Sequence, residues 1–174
     1  MTRFAALLRG VNVGGINLKM ADVAAVFTAL GLENVKTVLA SGNVLFDSAD
    51  SADALKPLIE KGLGERFGYD AAVHVLELDA IRQVVDDFPF DAEREGWHPY
   101  VVFVSDAGFA TDLLALQATL DEDAESIRPG KSVVYWTVER GSTLSSVFGK
   151  ETGRGKYKSA TTTRNLRTLQ KLLR

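Results

Sequence analysis

Residues 4–46 read FAALLRGVNVGGINLKMADVAAVFTALGLENVKTVLASGNVLF, and the order of apolar residues within them decides the fold. Phe4-Ala5-Ala6-Leu7-Leu8 is a short apolar run of the kind that forms a buried strand. It ends in the loop Arg9–Asn17, where Gly10, Gly14 and Gly15 make unusual backbone angles inexpensive. Met20, Val23, Ala24, Phe27 and Leu30 then recur at helical spacing, and Gly31 stands where a C-terminal helix cap belongs. Val35–Leu39 predicts a strand, Ser41-Gly42-Asn43 a tight turn, and Val44-Leu45-Phe46 the returning strand of a hairpin. The turn reading assigns positive φ to Gly42 and Asn43.

Working outward, Leu55, Leu58, Ile59, Leu63 and Phe67 mark a second amphipathic helix, with Pro57 tolerable only near its start. Ala71–Leu78 alternates as a strand through Val73 and Val75. The order β-α-β-β-α-β is the split βαβ arrangement of ferredoxin-like folds. Residues 79–97 read as a connector, with a short helix around Ile81 and Val84-Val85 before Phe88-Pro89-Phe90, an apolar plug between the halves. Beyond it the order begins again. Tyr100–Val104 predicts a strand and Asp112–Leu120 a helix; Glu125–Arg128 and Ser132–Val138 form a hairpin about Pro129-Gly130, and Leu144–Phe148 is a short helix. No closing strand is apparent, so the second repeat is expected to be partial. Residues 149–163 are polar and predict a loop. The last helix is expected to start after Thr161-Thr162-Thr163, with Leu166, Leu169, Leu172 and Leu173 on one side and a basic stripe of Arg164, Arg167, Lys171 and Arg174 on the other.

The expected architecture is therefore α+β: two ferredoxin-like βαββαβ-type subdomains, the second partial, plus a C-terminal helix. The boundaries fall at 1–78, 79–97 and 98–174. The 174 residues contain no cysteine, which excludes disulfides, thiolate nucleophiles and cysteine-held metals. No run approaches the ~20 apolar residues of a membrane span and no cleavable signal pattern appears, so a cytoplasmic protein without a membrane partner is expected.

The net charge of −3 conceals an asymmetry. Residues 1–139 carry a balance of −11, and residues 140–174 carry nine Lys+Arg against Glu151 alone. The basic tail either covers an acidic surface of the same chain or faces an anionic partner. The internal acids on offer are Asp86, Asp87, Asp91, Glu93 and Glu95, or Asp121, Glu122, Asp123 and Glu125.

Two segments are candidate anion sites. The strand–loop–helix joint after the first strand offers backbone N–H groups from Asn12, Gly14 and Gly15, with Arg9 and Lys19 as full charges. Gly10 and Gly15 have the glycine spacing of a phosphate-binding P-loop, but Ile16-Asn17 replaces its Lys-Ser/Thr. The alternative is that the glycines only permit a sharp crossover. Arg164 and Asn165 are the second candidate, at the expected start of the last helix; capping and an internal salt bridge are the alternative there. His74 and His98 have no metal-ligand spacing partner, no nucleophile elbow occurs, and Asp86-Asp87 diverge rather than face one another. The sequence assigns no catalytic residue, metal or cofactor. Phe4, Phe46, Phe103, Tyr135 and Trp136 are better read as core than as base-stacking aromatics.

Ala6-Leu7-Leu8-Arg9-Gly10-Val11-Asn12-Val13-Gly14-Gly15 with Asn17 and Met20, then Ser41-Gly42-Asn43-Val44-Leu45-Phe46, then Thr162-Thr163-Arg164-Asn165 with Thr168, Lys171 and Leu172 together resemble a bacterial family, domain of unknown function 1697. The resemblance covers the length of the chain. It implies a two-subdomain α+β fold of ferredoxin-like character and no accepted activity. The chain departs from the family pattern at Phe88 before Pro89-Phe90, at Leu166, and at Ser145-Ser146.

From these readings the expected role is binding of an anionic, phosphate-bearing ligand, either a nucleotide-like metabolite or a nucleic acid. One alternative is an enzyme acting on a small anionic metabolite, with Arg9, Asn12 and Arg164 positioning it and Asp22 or Asp47 as base. The other is a non-catalytic interaction module or homodimer.

Overall fold

The computed structural model describes residues 1–10 and 17–174. The chain divides into two compact units, Met1–Arg82 with Lys171–Arg174, and Gln83–Gln170.

In the first unit, β1 (Thr2–Leu8), β2 (Glu33–Val38), β3 (Asn43–Ser48) and β4 (Val73–Glu77) form an antiparallel sheet of order β2-β3-β1-β4. Phe4 pairs with Phe46 and Ala6 with Val44 across β3, while Leu8 pairs with Val73 on β4. Alternation turns these residues to one face, where they pack with Val23 and Phe27 of α1 (Met20–Ala29) and Leu55, Ile59 and Leu63 of α2 (Ala52–Phe67). Phe46 anchors this core, stacked on Phe4 at 5.6 Å and edge-on to Phe27 at 5.5 Å. Gly31, at φ +85°, ends α1 as its sequence position predicts. Ser51 caps α2 by accepting from Ala54 N at 3.2 Å, and Pro57 falls in the second turn.

The segment after β4 is a helix, α3 (Leu78–Asp86), with Ile81 and Val84 buried. In the second unit Phe88 packs edge-on against Tyr135 at 5.6 Å, and the Tyr135 hydroxyl donates to Val84 O at 2.7 Å.

The second sheet comprises β5 (Trp97–Val104), β6 (Glu125–Gly130), β7 (Val133–Glu139) and β8 (Thr161–Asn165), in the order β6-β7-β5-β8. This is the strand order of the first sheet, position for position. Its core joins Val102, Val104, Ile127, Val134, Trp136 and Val138 to Leu113, Phe148 and Tyr157.

Four local expectations are corrected. First, the closing strand missing from the sequence reading is β8, antiparallel to β5 from Thr161↔Val104 to Asn165↔Tyr100. Its threonines are strand-forming β-branched residues, not helix caps. Second, residues 149–163 are not a loop: α5 (Val147–Thr152), capped by Ser146, and α6 (Gly155–Lys158) lie there. Third, α4 (Ala107–Leu114) begins earlier than expected because Asp106 accepts from Phe109 N at 3.1 Å, and residues 115–119 tighten into a 3₁₀ turn. Fourth, the final helix α7 is only Leu166–Leu172, so Arg164 and Asn165 are strand residues and the four-residue basic stripe is not continuous on it. Leu166, Leu169 and Leu172 are buried as their spacing predicts.

Candidate functional site

Arg9 follows the last residue of β1. Its backbone N donates to Ala72 O at 3.0 Å, which fixes the chain at the end of β1 before Gly10 turns at φ +69°. The side chain is half-buried, and burial holds its pKa below the ordinary arginine value. Asn12, Gly14 and Gly15 lie outside the described residues. Lys19 precedes α1 with its side chain exposed, and its carbonyl accepts from Asp22 N at 3.0 Å and Val23 N at 3.1 Å.

Arg164 is the most deeply placed of the candidate residues, 7% exposed. One of its Nη atoms donates to Thr162 Oγ1 at 2.8 Å and to Thr163 O at 3.0 Å. Burial pushes its pKa down to about 10, so it stays a cation at neutral pH. Two strand residues, Arg164 and its β5 partner Val101, share a face of the second sheet, and Asn165 turns to the other. Asn165 Oδ1 accepts from Arg167 N at 2.9 Å, a side-chain turn that starts α7. Arg9 and Lys19 belong to the first unit, Arg164 and Asn165 to the second.

The turn Ser41-Gly42-Asn43 is built by a buried amide. Asn43 Nδ2 donates to Val38 O and to Ser41 Oγ, both at 2.9 Å, and Leu8 N donates to Gly42 O at 2.8 Å. Positive φ occurs at Leu39 and Gly42, not at Asn43. The expectation for Asn43 is thus corrected: its amide reaches back across the turn, and its backbone is ordinary strand.

Of the two carboxylates considered as bases, Asp47 is held by Asn34 Nδ2 at 2.7 Å and an Arg3 Nη atom at 3.2 Å. The Asn34 hydrogen bond leads the causes that place its pKa below the usual carboxylate value, which weakens it as a base. Glu125 is 3% exposed, with Trp136 Nε1 donating to it at 3.0 Å and Phe148 N at 3.4 Å. It is part of the core clamp and contributes no acidic surface, contrary to its sequence grouping. The other acids named for that role are exposed or partly so, but only Glu93 approaches the tail, at 3.9 Å from Arg167. Among the described residues no group of three His, Asp or Glu is arranged to hold a metal ion, and no helix is long and apolar enough to cross a membrane.

Two antiparallel four-stranded sheets of one strand order, each packed on helices, define a duplicated ferredoxin-like α+β protein. The chain belongs to the family described as Protein of unknown function (DUF1697), whose model matches residues 1–135. The C-terminal motif around Arg164 therefore lies beyond the matched span. A solved structure of a conserved bacterial protein from Streptococcus pneumoniae is similar over 98% of this chain and 96% of that one, with a TM-score of 0.80 and 26% identity. No curated protein matches the chain.

Proposed function

We propose that this protein binds a small anion carrying a phosphate group, of the nucleotide-like metabolite class, with Arg164 as its anchor. The observation that carries the reading is the desolvation of Arg164, a guanidinium only 7% exposed whose burial brings its pKa to about 10. Such a charge is weakly screened, so an oxyanion reaching it gains more than at a surface arginine. Thr162 and Thr163 fix its orientation before any ligand arrives, which reduces the entropy lost on binding. Arg9, also desolvated and immediately before the glycine-rich stretch, is a second cation of the same kind.

Isothermal titration at low salt with inorganic phosphate, adenosine monophosphate and a short RNA tests this. The nucleotide is expected to bind, and Arg164→Lys, which keeps the charge but loses the planar fork, to weaken it at least tenfold while circular dichroism stays unchanged. Binding of RNA alone would move the reading to a nucleic-acid partner. No heat with any probe at millimolar concentration, or equal affinity in the variant, would reject it.

A further inference from the structure

Strand register gathers polar side chains from separate segments at one end of the second sheet. Tyr100 pairs with Asn165 across β8 and with Trp136 across β7, and His98 pairs with Val138. Alternation therefore turns His98, Tyr100, Asn165, Trp136 and Val138 to a single face. Arg167 follows in the first turn of α7, close enough to His98 for its charge to act on the ring. Continuing β5–β7 past Trp97 brings Arg140 level with Gly96, where its N donates to Gly96 O at 2.9 Å. The His98 and Tyr100 rings lie 5.4 Å apart, and the Tyr100 hydroxyl is 3.4 Å from Thr143 Oγ1. The inner part of the face, Val102 and Trp136, is sealed in the core. Its outer end carries two guanidiniums, an imidazole and two hydroxyls.

Little within the described residues answers those charges. Arg140 makes no ion pair there, and Arg167 has only Glu93, 3.9 Å away, with a side chain 83% exposed. Glu125, beside Val138 on β6, is committed to Trp136 and Phe148. Glu139, level with Trp97, turns to the opposite face. The His98 ring nitrogens make no hydrogen bond among the described residues. Burial first, then Arg140 and Arg167, keep its pKa below the ordinary histidine value, so the ring is neutral at pH 7.

We propose that His98, Arg140, Arg167 and Tyr100 form a binding site for a tetrahedral dianion of the phosphate type, with Thr143 and Asn165 at its rim. The site is on the face opposite Arg164 and stands independently of the role given to that residue. The guanidiniums attract the dianion, and the Tyr100 hydroxyl and a histidine N–H donate to it. A bound dianion offsets the two arginines at the imidazole, so the ring's proton affinity rises and binding takes up a proton. Affinity for an anion that stays doubly charged, such as sulfate, therefore strengthens as pH falls through the ordinary histidine value of ~6.5.

The test follows the imidazole resonances of His98 by NMR across pH, with His74 as the internal control. Sulfate, a dianion throughout the range, is compared with chloride at equal ionic strength. Inorganic phosphate and adenosine monophosphate then distinguish a free anion from a phosphate ester by the concentration each needs. Sulfate is expected to raise the pKa of His98 by about one unit and to leave His74 where it was. Arg140→Gln with Arg167→Gln is expected to abolish that rise and to bring His98 in chloride closer to its ordinary value. Arg164→Gln leaves the response intact, so failure here and failure of the Arg164 reading are separate results. A wild-type His98 that sulfate moves no more than His74, or a double variant that keeps the rise, overturns the proposal.

Discussion

Replacing Arg164 with methionine exchanges a buried cation for a neutral chain of similar length. Burial lowers the guanidinium's pKa from its ordinary value to about 10, and at about 1.4 kcal/mol per unit the lost hydration costs about 3 kcal/mol. At 7% exposure little solvent screening reduces that figure. Against it stand the hydrogen bonds to Thr162 Oγ1 and Thr163 O, each about 1.5–3 kcal/mol for a charged donor. The two bonds together match or exceed that cost, so Arg164→Met is expected to destabilise the ligand-free protein by no more than about 3 kcal/mol. Arg164→Ala also opens a cavity and is expected to lose about 2–4 kcal/mol. Calorimetric melts with and without phosphate separate this balance from binding. Phosphate at ~100 times the Kd of the Arg164 site adds about 2.7 kcal/mol to the wild type, a rise of about 5–11 °C for a chain of this size, and Arg164→Met should lose that increment, keeping only what the His98 site contributes. A methionine variant that loses more than about 4 kcal/mol without ligand would show the guanidinium to be a structural tie. A variant that keeps the full phosphate increment would remove Arg164 from the site.

Asp47→Asn tests the low carboxylate pKa set by Asn34 and Arg3. A depressed pKa contributes stability above the unfolded value of ~3.9 that is lost as pH falls through the folded one, so the variant should be weaker than wild type at pH 6 and converge with it in acid, by about 1 kcal/mol or less for so exposed a pair; urea midpoints at the two pH values measure it. Gly149→Ala puts a Cβ into the Thr143 carbonyl, whereas at Gly153 the nearest atoms are 3.5 Å away. The first substitution should cost about 2 kcal/mol or more and the second almost nothing, read as paired thermal melts. The Tyr69 hydroxyl is buried with no hydrogen-bond partner among the described residues, so Tyr69→Phe should leave stability unchanged or raise it by about 1 kcal/mol; a loss of that size would mean the hydroxyl has a partner after all.

The first sheet was legible because its signals agree. Apolar Phe4–Leu8 and Val44–Phe46 sit on either side of an amphipathic stretch closed by Gly31, and each is buried as its pattern requires. The closing strand of the second sheet was not legible because its sequence signals conflict. Thr161-Thr162-Thr163 offers hydroxyls where a helix cap would, and Arg164 and Asn165 read as polar surface. Pairing with β5 overrides that, and the threonines and Arg164 are carried into the interior by a neighbour some 60 residues away in sequence. The same cause hid the cluster at His98. Once 161–165 is a strand, Tyr100↔Asn165 sets the end of β8, and the start of α7 with Arg167 just beyond it, at the His98 end of β5, and nothing in local sequence predicts that. Glu125 was misread as surface because its fate depends on Trp136 and Phe148.

The two closing strands show where a duplicated fold has diverged. β4 meets β1 with Val73 and Val75 in the core of its unit, as a structural edge should. β8 occupies the same place in the second sheet and instead buries Thr161, Thr162 and Arg164, among the few polar residues in the interior of the described chain. Thr161 Oγ1 must donate to Tyr157 O, and Arg164 to Thr162, to offset their desolvation. A valine-rich strand would build the same sheet without those constraints, as β4 does. A departure from local rules that stability does not require is what a functional strand looks like, and β8 carries it on both faces: Arg164 on one, Asn165 leading to Arg167 on the other. Substitutions in β8 that keep strand propensity, such as Thr162→Val with Arg164→Met, should therefore spare the fold and abolish anion binding at Arg164 while leaving the response of His98 to sulfate, whereas matched polar substitutions in β4 should cost stability and leave both sites.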